Sequence, residues 1–166
     1  MSKIETIMAE IQSSLPEFNF KPAQAWPAFA DYCRFYGLEI NNSIRRYYGI
    51  LFSAGYTIFI HVMQPEKPHG TIFMVHGYLS HSGLLRHAVQ SLLLHNFAVV
   101  MLDLPGHGLS SGERGFINDF FVYRQVLGDV VNLCHDKLPK PFHALGHSTG
   151  GGIVLDCIMS LPKPLF

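Results

Sequence analysis

The chain has 166 residues, 48% hydrophobic and 14% charged, which is enough for one domain with a real core and a poor match to a disordered segment. Twelve basic and twelve acidic residues cancel, so no global field exists to hold a polyanion and nucleic acid is excluded as the expected partner. The three cysteines, Cys33, Cys134 and Cys157, are odd in number and far apart, which fits reduced core thiols and neither a disulfide framework nor a zinc site.

Ile4, Ile7, Met8, Ile11 and Leu15 recur at helical spacing before Pro16, so an amphipathic helix is expected over residues 3–14. Its polar face carries one Lys and two Glu, unlike the basic face of a membrane-surface helix, and it lacks the uninterrupted apolar core of a secretory signal. No stretch approaches the length of a membrane span, and a cytoplasmic chain is the default expectation. A second helix is expected over residues 23–36, closed by Gly37. Residues 46–52 and 56–63 read as strands joined by Ser53-Ala54-Gly55, the length and composition of a hairpin connection.

From residue 71 onwards apolar runs alternate with helical patterns. Strands are expected over 71–76, 98–103 and 142–146. Helices are expected over 83–95, from Asn118 or Asp119 to Cys134 or His135, and over 149–161. Runs that are apolar throughout belong to a parallel sheet covered on both faces, so the fold class is α/β: a mostly parallel sheet with an antiparallel hairpin at its N-terminal side. Residues 1–45 are expected to form a helical extension and 46–166 the α/β domain. There is no internal repeat.

Three motifs fall at strand ends. Gly146-His147-Ser148-Thr149-Gly150 follows a strand and opens a helix, the setting in which a G-x-S-x-G turn presents a serine hydroxyl. Gly146 and Gly150 are expected where side chains would collide across the turn, and Gly151 and Gly152 where the helix lies close to the sheet. His76-Gly77-Tyr78 follows an earlier strand. Acyl transfer needs two backbone N–H donors for the developing oxyanion, and the amides of Thr149 and Tyr78 are the candidates. The third motif runs from Asp103 to Gly112, DLPGHGLSSG.

In that order and spacing, "HGYLSHSG", "LDLPGHGLSSGERG" and "GHSTGG" resemble the α/β-hydrolase superfamily. Within it they are similar to the lysophospholipases, monoacylglycerol lipases and the serine aminopeptidase S33 group. The resemblance runs from about Tyr47 to the C-terminus. It implies Ser148 as nucleophile, the Tyr78 and Thr149 amides as oxyanion hole, loop-ordering roles for His76, Gly77, Asp103, His107 and His147, and structural roles for Glu113 and Arg114. It implies hydrolysis of carboxylic esters of lipid or other small acyl substrates, with no metal and no organic cofactor. Aminopeptidase activity fits less well, because the loop after His76-Gly77 lacks a Gly-Gly-Pro-Gly continuation.

A serine needs a histidine to take its proton and an acid to orient that histidine, in the chain order Ser, Asp or Glu, His. All ten histidines precede Ser148, and Asp156 lies on the following helix about 12 Å further along its axis. Pairing His76 or His107 with Asp103 is foreign to this elbow. The sequence therefore resembles the N-terminal part of such an enzyme, truncated after the elbow helix and inactive alone. The alternative is a remnant or non-catalytic binding module. The strand over 142–146 would then lack its neighbour, and self-association is expected.

Overall fold

The computed structural model describes residues 2–21, 26–39, 41, 43–160 and 165–166. The elements in order are α1 (Lys3–Ser14), α2 (Pro27–Tyr36), β1 (Arg45–Ser53), β2 (Tyr56–Gln64), β3 (Thr71–Val75), a 3₁₀ turn (Ser82–Leu85), α3 (Arg86–Leu94), β4 (Ala98–Leu102), α4 (Phe121–Cys134), β5 (Phe142–Gly146) and α5 (Thr149–Ser160). The sheet order is β1-β2-β4-β3-β5. β1 and β2 form the hairpin, β2 meets β4 antiparallel, and β3 lies parallel to both β4 and β5. Ala54 and Gly55, at φ 51° and 84°, make the tight two-residue connection whose twist suits paired strands.

Strand alternation sorts the core onto two faces. Ile58, Ile60, Val62, Phe73, Val75, Val100 and Leu102 pack with α4 and α5. Their neighbours Phe59, Met63, Ile72, Met74, Val99 and Met101 pack with α1, α2 and α3. The apolar stripe of α1 is thus used internally: Ile11 is fully buried, and Ile4, Ile7, Met8 and Leu15 are partly buried against the second cluster. The three cysteines are free and buried. No helix among the described residues is long and apolar enough to cross a membrane.

Several expectations shift. α2 begins at Pro27, whose fixed φ suits the first helical position, and residues 23–25 of the expected helix lie outside the described residues. The expected 83–95 helix divides into the 3₁₀ turn and α3. α4 starts at Phe121, and Asp119 still serves its end by accepting the Phe121 N–H at 2.9 Å. β3 and β4 are buried along their whole length as expected, whereas β5 exposes His143 and Leu145 because it is an edge strand.

The two sheet edges differ. Along β1, residues 16–18 run beside the strand, with Phe18 N–H donating to Ile50 O and Ile50 N–H to Pro16 O, both at 2.9 Å. Gly49 permits this approach, since a Cβ there would sit 2.7 Å from the backbone of Phe18 and Pro16. Among the described residues no strand pairs with the far side of β5.

Candidate active site

The turn between β5 and α5 is tight enough to force Ser148 into the left-handed region, at φ 52°. That conformation is costly for a residue with a side chain and persists where its surroundings over-determine it. Here the surroundings are plain: His147 N–H donates to Val75 O at 3.0 Å, and Gly150 and Gly151 N–H donate to the carbonyls of His147 and Ser148, each at 2.9 Å. A Cβ on Gly146 would fall inside contact distance of Gly150, and one on Gly150 would strike the Val75 carbonyl. The expectation for Gly151 and Gly152 is corrected: a Cβ on either meets nothing closer than 3.4 Å, so the helix approach does not require them.

Gly77 packs directly on this turn. A Cβ there would lie 3.0 Å from His147 Nδ1 and 3.3 Å from Ser148 Cβ. Residues 77–80 form a turn closed by Ser80 N–H to Gly77 O at 3.1 Å, with Leu79 at φ 55°. The structure thus brings Ser148, exposed at the elbow, together with the Gly77 loop that carries Tyr78. Thr149 opens α5, so its amide has no carbonyl within the helix to bond.

Asp103 and the histidines form a separate network behind that turn. The buried Asp103 carboxylate accepts Ser82 N–H at 2.7 Å and Leu109 N–H at 2.8 Å. Leu104 N–H donates to His76 Nε2 at 2.9 Å, which places the ring proton on Nδ1, facing Gly77 O at 2.8 Å. His107 repeats the pattern, accepting Leu79 N–H on Nε2 at 3.2 Å and donating from Nδ1 to Pro105 O at 2.8 Å. Both imidazole lone pairs are therefore spent on backbone amides. Burial lowers the pKa of His76, opposed by the Asp103 charge and the Gly77 carbonyl; burial likewise lowers that of His81.

Asp156 is turned elsewhere, paired with Arg124 at 3.0 Å between α5 and α4. Glu113 contributes backbone, accepting Phe116 N–H at 3.1 Å, and Arg114 lines a cavity between α1 and the turn at residues 79–81. Ser110 was not singled out from the sequence, yet its buried hydroxyl donates to Asp103 O at 2.6 Å and accepts Phe59 N–H at 2.9 Å, tying the loop to β2. Its signal was faint: one serine among the small residues of a glycine-rich loop.

A strand-to-helix elbow with a left-handed serine, on a sheet of this order, defines an α/β-hydrolase. The family model for serine aminopeptidase, S33, matches residues 66–165, and the chain belongs to that family. It is 38% identical over 106 residues to a monoacylglycerol lipase of Mycolicibacterium smegmatis, covering 61% of this chain and 37% of that one. To the human monoglyceride lipase it is 39% identical over 94 residues, covering 54% and 31%. Among solved structures, a monoacylglycerol lipase from Paleococcus ferrophilus aligns at TM-score 0.56 and 27% identity over 64% of this chain and 39% of that one. An acetyl xylan esterase from Paenibacillus sp. R4 aligns at TM-score 0.62 over 97% and 55%, and at 16% identity it speaks to the fold alone. The chain spans roughly a third of the length of the curated relatives it matches.

Proposed function

We propose that this chain is the nucleophile-bearing part of a serine hydrolase of carboxylic esters, of the lysophospholipase or monoacylglycerol lipase kind. Ser148 Oγ attacks the ester carbonyl, the alcohol leaves, and water releases the acid from the acyl-enzyme. The amides of Tyr78 and Thr149 hold the developing oxyanion. His76, Asp103 and His107 shape the loops around them, Gly77 gives the elbow room, and His147 braces the elbow against Gly77. The observation that carries this reading is the left-handed Ser148 between β5 and α5 with the Gly77 turn packed against it.

The base and its orienting acid belong, in this proposal, to residues outside these 166. Support comes from two facts: no histidine follows Ser148, and the upstream His76 and His107 have no free lone pair. A cytoplasmic site of action is proposed with it, on the reduced cysteines.

The test compares the 166-residue chain with one extended by the coding sequence downstream of Phe166. A fluorophosphonate should label the extended chain at Ser148, with turnover of 4-nitrophenyl butyrate, and Ser148→Ala should abolish both. Turnover by the 166 residues alone would overturn the placement of acid and base. An extended, folded chain that carries a downstream Asp and His yet stays unlabelled would overturn Ser148 and favour a non-catalytic binding module.

A further inference from the structure

The turn at residues 77–80, which carries the candidate oxyanion amide of Tyr78, is not held by burial. The Tyr78 and Leu79 side chains are 57% and 64% exposed, and Leu79 is left-handed. Such a turn keeps its shape where it is fixed from outside. At one point His107 accepts the Leu79 N–H. At the other, Ser80 N–H closes on Gly77 O and the chain passes directly into His81. The groups that hold the His81 ring come from α2.

Tyr32 and Tyr36 stand one turn apart on α2, and both reach His81. The Tyr32 hydroxyl lies 3.4 Å from His81 Nδ1, and the Tyr36 ring makes a T-shaped contact with the imidazole at a centroid distance of 4.8 Å. The same Nδ1 accepts the Gly83 N–H at 3.2 Å, which places the ring proton on Nε2 and makes the Tyr32 hydroxyl a second donor. Burial, then the Asp103 charge, pushes the Tyr32 phenol well above its ordinary range, so it keeps the proton it donates. The three groups leave no spare room: a Cβ on Gly83 would sit 2.8 Å from both the Tyr32 oxygen and His81 Cε1. Tyr32 is itself fully buried and stacked on Phe29 at 5.8 Å, so its hydroxyl is a fixed point against which His81 is set.

We propose that Tyr32 and Tyr36 are positioning residues for the hydrolysis: through His81 they fix the C-terminal end of the 77–80 turn and so the direction of the Tyr78 N–H. The proposal rests on the ester-hydrolase reading above. It adds to that site a helix lying before the family-matched residues 66–165.

The experiment has two arms. In the first, amide hydrogen exchange of the 166-residue chain is followed in ¹H–¹⁵N spectra. Tyr32→Phe, which keeps the ring and loses only the hydroxyl, should speed exchange at Ser80 about fivefold and shift the Tyr78 and Leu79 signals. Tyr36→Leu, which removes the ring contact, should act in the same direction. His81→Phe should act more strongly, and His81→Asn, whose Oδ1 takes the place of Nδ1, should restore most of the protection. Ser53→Ala loses a comparable hydroxyl bond, the 2.6 Å donation to Asp129 on α4, and should leave all three amides unchanged. In the second arm, the chain extended downstream of Phe166 hydrolyses 4-nitrophenyl butyrate. Tyr32→Phe should lower kcat about tenfold with KM within about twofold, because a displaced oxyanion donor costs the transition state and not the bound ester. Ser53→Ala should change neither constant. Unaltered Tyr78 and Ser80 amides in Tyr32→Phe, or an equal effect of Ser53→Ala, would overturn the proposal, as would an unchanged kcat in an extended chain that fluorophosphonate labels. An extended chain that is never labelled would instead overturn the ester-hydrolase reading and the catalytic consequence with it, while the exchange arm still shows whether α2 sets the turn.

Discussion

The N–H of Leu79 donates to Nε2 of His107 at 3.2 Å, joining the turn after β3 to the loop after β4 at a residue held in the left-handed region. The bond explains why Leu79, with a side chain, sustains φ 55°. Replacing His107 by leucine should speed hydrogen exchange at the Leu79 amide about tenfold, the loss of one net hydrogen bond. His107→Gln, whose Oε1 can take the place of Nε2, should restore most of the protection. Equal exchange in all three proteins would show that the turn holds itself.

Asp103 satisfies two buried backbone donors from two segments at once, Ser82 and Leu109. Asp103→Ala should lower unfolding stability by roughly 3 kcal/mol, because both N–H groups lose their acceptor in a dry site. Asp103→Asn keeps one acceptor oxygen and should cost about half as much. Urea unfolding of the three proteins reads the difference.

The glycines around the elbow should separate sharply. Gly150→Ala drives a methyl into the Val75 carbonyl and should leave little folded protein. Gly152→Ala meets only the Phe120 ring at 3.8 Å, within a helix, and should be neutral or stabilising by up to about 1 kcal/mol. Thermal melting of the pair distinguishes a steric requirement from mere sequence resemblance.

His61 sits fully buried in β2 against the Phe29 ring, with neither ring nitrogen hydrogen-bonded among the described residues. Burial, then the Arg46 charge, pushes its pKa well below the ordinary value of 6.5. The unfolded chain therefore takes up a proton below about pH 6.5 that the folded chain refuses, and stability falls as pH drops. The slope approaches about 1.4 kcal/mol per pH unit for such a group. His76 and His81 act in the same direction. His61→Phe should reduce the loss of stability between pH 6.5 and pH 5 while leaving stability at pH 8 within about 1 kcal/mol. An unchanged slope would remove His61 from the account.

β5 presents five residues without a Lys, Asp or Glu, and its Leu145 is 39% exposed. An uncharged edge strand is a template for another chain. The 166-residue protein should sediment as dimers or larger species at micromolar concentration, and Leu145→Lys should shift it towards monomer. A monodisperse monomer at those concentrations would count against an open β5 edge in solution.

The order of apolar runs and glycines in the sequence already specified an α/β fold, the hairpin at its N-terminal side and the serine elbow, because those features depend on local periodicity and on turns that admit few residues. Gly146 and Gly150 were legible for that reason: the clash they avoid is with residues near in sequence or at a strand end. Gly151 and Gly152 misled, since a glycine run reads the same whether or not a neighbour stands opposite. The strand over 142–146 was already expected to lack a neighbour, but only the tertiary structure decided that His143 and Leu145 are the residues it leaves exposed in a run otherwise like β3 and β4. It alone turned both lone pairs of His76 and His107 to backbone amides from other loops, and set Glu5 and Arg114, more than a hundred residues apart in sequence, around one cavity. Those relationships depend on chain crossings, and no local pattern of residues encodes what a distant segment will bring alongside.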